Sequence, residues 1–256
     1  MRMQRMDPTP ELQLKERRRW LPVLAPRLPL PVPATPVRFG EPSERFPKHW
    51  TVMTWVPGEP LDHGSISRGA PRGDILAGFL RALHVEAPAE APGRFGLRRS
   101  PEEVHGRLRA VLAGPLTPDA VGDVPAVRAV WADAVAAPEW EGPSVWVHGD
   151  LHPANVVVSD GTLSGVIDFG ALFRGDPAWG PRRRVGAAPR GRGRTVLRRV
   201  RARGRGGDPR RARGLAAMKS LFLMLMGQNG DRGIPGGKPN WGPAGRAALD
   251  RVLKGV

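Results

Sequence analysis

The sequence predicts an α+β protein, and two observations carry the prediction. Between Val145 and Gly170, short runs of Val, Ile and Trp flank polar centres, which reads as buried strands delivering Asp150, Asn155 and Asp168 to one edge. Elsewhere apolar residues recur at helical spacing, as in Leu76, Phe79, Leu80 and Leu83. A chain of 256 residues suits one large domain or two modest lobes, enough to bury a real core.

The strand-rich stretch runs from Val145-Trp146-Val147 through His148-Gly149-Asp150-Leu151-His152-Pro153-Ala154-Asn155 to Val156-Val157-Val158. An Asp with an Asn five residues later suits a phosphoryl-transfer loop. The carboxylate accepts or orients the proton of an attacking hydroxyl, and the Asn carbonyl oxygen is a hard neutral ligand for Mg²⁺. Asp168, followed by Phe169-Gly170, adds an anionic oxygen. Because Mg²⁺ keeps several waters, these two ligands and nucleotide phosphates form a sufficient set.

The His-Gly-Asp-Leu-His-Pro-Ala-Asn run at 148–155, Val-Ile-Asp-Phe-Gly at 166–170 and Gly-Asp-Pro-Ala-Trp at 175–179 together resemble the aminoglycoside phosphotransferase family, a branch of the protein-kinase-like fold. The resemblance implies a bilobal protein with a mainly helical C-terminal lobe, and ATP-dependent transfer of a γ-phosphoryl group to a small-molecule hydroxyl. It implies Asp150 as catalytic base, Asn155 and Asp168 as magnesium ligands, and His148 and His152 as structural members of the loop. It also implies a remnant N-terminal lobe over 1–56 and a catalytic lobe over 57–256, because the phosphate-covering Gly-rich hairpin of such folds has no counterpart ahead of the first strand.

Thr9-Pro10 ahead of residues 11–21 reads as a capped helix start. By resemblance this helix carries an acid paired with a base on the preceding strand: Glu16 with Arg2, Glu11 being an alternative acid. Leu28-Pro29-Leu30-Pro31-Val32-Pro33 fits an edge strand or polyproline segment. Trp50 to Val56 reads as a strand ended by Pro57-Gly58. The family places the adenine against the backbone of Met53, Thr54 and Trp55; core packing is the competing account for Met53 and Trp55. Amphipathic segments at 74–84, 104–112 and 127–136, a nearly all-apolar helix at 215–228 stopped by Asn229-Gly230, and a last helix at 244–253 complete the expected lower lobe.

Composition sets the remaining bounds. Cysteine is absent, which removes disulfides, zinc–thiolate sites and thiol nucleophiles. The basic N-terminus has no apolar run behind it, and the longest apolar stretch falls short of the ~20 residues that span a bilayer. A monomeric cytoplasmic protein without membrane contact is therefore expected.

The net charge of +16 is concentrated: Gly180 to Arg213 holds 14 arginines and one acid, contributing +13. This segment lacks large apolar residues and sustained periodicity, so its composition is that of a disordered stretch. A nucleic-acid tether would bind by charge, but no aromatic residues stand there to stack on bases, so nucleic acid is not the expected partner. A natural insertion is a second explanation. The favoured one is a frame error in a GC-rich gene, since the family pattern calls for an Asp where Gly180 stands and family-like sequence resumes near Arg213. An inactive relative is the alternative to a working kinase.

Overall fold

The computed structural model describes residues 2–3, 19–34, 36–47, 50–63, 67, 72–93, 116, 118–179 and 207–255. Glu11, Glu16, the helix expected at 104–112, Gly180 and the arginine-rich stretch through residue 206 lie outside the described residues. The chain divides into two compact units, one of residues 1–94 and 143–206, the other of 95–142 and 207–256. The division expected at residue 56 thus falls inside the first unit.

In the first unit, β1 (Arg2–Met3), β2 (Pro36–Gly40) and β3 (Trp50–Met53) form an antiparallel sheet ordered β1-β3-β2. The third strand stops at Met53, short of Val56, because the chain turns out of the sheet: Thr54 and Trp55 are exposed, and Pro57 has no N–H to give a ladder. The 28–33 segment bends at Pro29-Leu30 and forms no strand, as its alternating prolines require; Pro31 instead accepts a hydrogen bond from Val166 N–H at 3.0 Å.

A second sheet orders β4 (Glu59–Pro60), β6 (Val156–Ser159) and β7 (Thr162–Val166), while β5 (Val145–Val147) pairs with β8 (Phe173–Gly175). The β6–β7 hairpin closes through Asp160-Gly161, both at positive φ (50° and 71°), the backbone that a two-residue type I′ turn demands. Helix α1 (Arg72–Leu83) buries Leu76, Phe79 and Leu83 against Trp146, Val156, Val166 and Phe169 in one core. Its apolar spacing is the one read from the sequence, and Leu80 packs at its margin.

The second unit is helical. Helix α2 (Val124–Ala136) starts where Asp123 accepts the Ala126 N–H at 2.9 Å and buries Val127, Val130, Trp131 and Ala134. Helix α3 (Pro209–Asp231) begins well before the expected Leu215: Asp208 accepts the Arg210 N–H at 2.7 Å, and Pro209 is pre-set for the first turn. The last residues of the arginine-rich segment are therefore ordered helix, with Arg211 and Ala212 buried. Helix α3 is not buried all round, since Phe222 is 43% exposed, and it runs through Asn229-Gly230 to Asp231. Gly214 lets it approach α2, because a Cβ there would lie 2.3 Å from the Cβ of Ala134. Helix α4 (Trp241–Leu253) adds Leu249 to a core of Leu116, Val121, Trp131, Leu221 and Met224. Among the described residues no helix is long and apolar enough to cross a membrane.

Candidate active site

Strand β5 is buried at all three positions and ends at Val147, which delivers His148 into the interior with only 2% of its surface exposed. Its Nε2–H donates to the Ile167 main-chain oxygen at 2.9 Å, and its Nδ1 accepts the Asp150 N–H at 3.2 Å. A carbonyl can only accept and an amide N–H can only donate, so the neutral Nε2–H tautomer alone satisfies both. Burial is the main cause that lowers the His148 pKa from 6.5 to about 4. The Ile167 carbonyl and the charges of Asp150 and Asp168 pull the other way without overcoming it. Phe169 packs against the imidazole with ring centroids 4.5 Å apart and planes tilted by 53°, and meets Phe79 edge-on at 6.5 Å.

After His148 the chain must turn sharply. Gly149 does so at φ +77°, and a Cβ there would sit 2.2 Å from the Ala171 carbonyl oxygen, so only glycine fits. The turn brings the Asp150 side chain to a partly open position, 37% exposed. Leu151 and His152 fold back inward, and Pro153–Asn155 forms one 3₁₀ turn that buries Asn155. The Asn155 amide nitrogen lies 2.8 Å from the Asp150 main-chain oxygen, 3.4 Å from Asp150 Oδ2 and 3.2 Å from His152 Nε2. These partners fix which end of the amide is nitrogen and turn Oδ1 away from Asp150.

Asp168 enters from the end of β7. The Ile167 N–H donates to the Asn155 main-chain oxygen at 2.9 Å, which sets the two segments in register. Asp168 itself takes left-handed backbone angles (φ 62°, ψ 58°), uncommon for a residue with a side chain, and its Oδ1 receives the Gly170 N–H at 3.4 Å. Among the described residues no three His, Asp or Glu side chains cluster as a metal cage. One amide oxygen, from Asn155, and one carboxylate, from Asp168, make a hard-oxygen donor set suited to Mg²⁺ held partly by waters and phosphates.

The structure thus brings His148, Asp150, His152, Asn155 and Asp168 together. Met53 ends β3 and packs at the margin of the core, whereas Trp55 is 82% exposed, so core packing does not account for it. Arg2 sits on β1 opposite Thr51; Glu16 lies outside the described residues. Sequence reasoning missed the Ile167 main chain, which bonds both His148 and Asn155, and the packing of Phe169 on His148. Both depend on tertiary pairing; only Gly149, between two polar residues at a strand end, left a local trace.

A model of the phosphotransferase enzyme family matches residues 3–215. The chain belongs to this family. Solved structures of similar fold include the GDP complex of wild-type aminoglycoside 2'-phosphotransferase-IIIa, with a TM-score of 0.60 at 18% identity, covering 95% of this chain and 82% of that one. The GDP and kanamycin complex of APH(2")-IIia gives 0.63 at 19% identity with the same coverage. Macrolide 2'-phosphotransferase MphH from Brachybacterium faecium gives 0.51 at 25% identity, covering 96% of this chain and 83% of that one. Comparison with curated protein sequences finds no match. The α+β kinase-like fold expected from the sequence is the fold of this chain.

Proposed function

We propose that the chain transfers the γ-phosphoryl group of a nucleoside triphosphate to a hydroxyl of a small molecule, with Asp150 as the base. The observation that carries this reading is the Asp150–Asn155 arrangement: one partly open carboxylate, and beside it a buried carboxamide whose oxygen is turned away. In the reaction the acceptor oxygen forms a bond to phosphorus, the bond between the γ-phosphorus and the bridging oxygen breaks, and Asp150 takes the acceptor proton. Asn155 and Asp168 hold Mg²⁺, which when bound neutralises charge on the phosphates. His148 stays neutral and works only as a brace, tying the Asp150 backbone to Ile167 just past the end of β7.

Met53, Thr54 and Trp55 are the candidates to meet the nucleotide base, and Arg2 with Glu16 the candidate ion pair. ATP is the donor expected for the family. The GDP found in the related structures makes GTP the second donor to test. An acceptor of the aminoglycoside or macrolide type is suggested by the same relatives, in which case the protein would act in the cytoplasm as a monomer and confer antibiotic resistance. Incubation of the full chain with Mg²⁺, γ-labelled ATP or GTP and a panel of both antibiotic classes tests the reading. Label transferred to one class supports it; a chain that neither binds nucleotide nor moves label in any combination contradicts it.

A further inference from the structure

We infer that His152 is a positioning residue: its Nε2 accepts the second amide hydrogen of Asn155, and so competes for that hydrogen with the Asp150 carboxylate. The inference rests on the functional reading above and deepens it. Asn155 has two amide hydrogens. One is taken by the Asp150 main-chain oxygen at 2.8 Å. Two acceptors compete for the other, His152 Nε2 at 3.2 Å and Asp150 Oδ2 at 3.4 Å.

The choice between them matters chemically. A hydrogen bond from Asn155 to the carboxylate would lower its basicity and tie the metal ligand to the base. With His152 as acceptor, the carboxamide plane is held from its own side of the loop, and Oδ1 remains directed away from Asp150. His152 is 7% exposed, so its ring is held in place by the residues packed around it.

The geometry also fixes its tautomer. The Asp150 carbonyl can only accept, so the Asn155 atom facing it is nitrogen, and the same nitrogen faces His152 Nε2. That Nε2 must then carry no hydrogen, which places the ring proton on Nδ1. His148 carries the opposite tautomer, with its hydrogen on Nε2 toward Ile167. Two histidines four residues apart in one loop are thereby set in opposite senses by their partners.

Two measurements on the full-length chain test the inference. Long-range ¹H–¹⁵N spectra of the imidazole rings, assigned by the signals lost in His152→Gln, report the tautomer directly. The expected result is an unprotonated Nε2 on His152; an Nε2–H tautomer there overturns the inference. The second measurement titrates Mn²⁺ with ADP by electron paramagnetic resonance. Gln places a polar atom near the Nε2 position and Asn does not reach it, so His152→Asn should weaken Mn²⁺ binding about tenfold while His152→Gln stays within about twofold of the parent. Equal losses in both variants mean that the ring merely fills space, and overturn the proposal. A parent chain that binds no Mn²⁺·ADP sinks the phosphotransferase reading, and the tautomer spectrum alone then decides the role of His152.

Discussion

The main-chain N–H of Ile167 donates to the main-chain oxygen of Asn155 at 2.9 Å, while the carbonyl of the same Ile167 receives His148 Nε2–H. One residue with an apolar side chain therefore ties three parts of the site through its backbone alone: the strand end at His148, the turn at Asn155 and the neighbouring Asp168. Replacing its side chain would leave these bonds in place.

Asp168 shows what that arrangement sustains. A left-handed non-glycine backbone costs on the order of 1 kcal/mol and persists where the surroundings over-determine it. Asp168→Gly should relieve this strain, leaving the thermal midpoint equal to the parent or higher, while removing Mg²⁺-dependent nucleotide binding. Calorimetric unfolding beside a titration with Mg·ATP checks both halves. A destabilised variant that still binds Mg·ATP would contradict the assignment of Asp168 as ligand.

The buried His148 makes stability depend on pH. Its pKa is about 4 folded against 6.5 unfolded, so between these values the unfolded chain binds a proton that the folded chain does not. Stability is then fully present above pH 6.5 and falls as pH drops toward 4, by at most about 3 kcal/mol. Denaturation midpoints measured across this window should show the slope in the parent and a shallower one in His148→Asn. Parallel curves for the two proteins would remove His148 as the cause.

The roles proposed for Asp150, Asn155 and Asp168 are legible in the sequence because phosphoryl-transfer chemistry calls for those residue types, with the Asn five positions after the Asp. The helix over 72–83 is legible because Leu76, Phe79 and Leu83 keep one period against one core. The brace at His148 is not, since its partner Ile167 lies 19 positions away and acts through its main chain. Nor is the start of α3: a composition reading of 180–213 sees only arginines, yet Asp208-Pro209 is a helix start and Arg211 is buried. Asp160-Gly161 is a local turn signal that strand periodicity alone overlooks.

Arg213 illustrates the same point energetically. Its Nε donates to the Val252 oxygen at 2.9 Å, which also accepts the Gly255 N–H, and its terminal nitrogen donates to the Leu253 oxygen at 3.1 Å, so the guanidinium caps the carbonyl end of α4. Arg213→Ala should therefore lower unfolding stability by about 1–3 kcal/mol, and Arg213→Lys should recover only part of it because one ammonium cannot fork across both oxygens. Chemical denaturation of the three proteins is the check. Three equal midpoints would show that the contact contributes nothing.

The most direct measurement is turnover of labelled nucleotide by the parent chain and by Asp150→Ala, alongside nucleotide affinity in both. Removing the base while Asn155 and Asp168 remain should reduce phosphoryl transfer by roughly 10²–10⁴-fold and leave the dissociation constant for Mg·ATP within about threefold, since binding rests on the metal and phosphate contacts. Equal turnover in the two proteins would contradict the claim that Asp150 carries the chemistry.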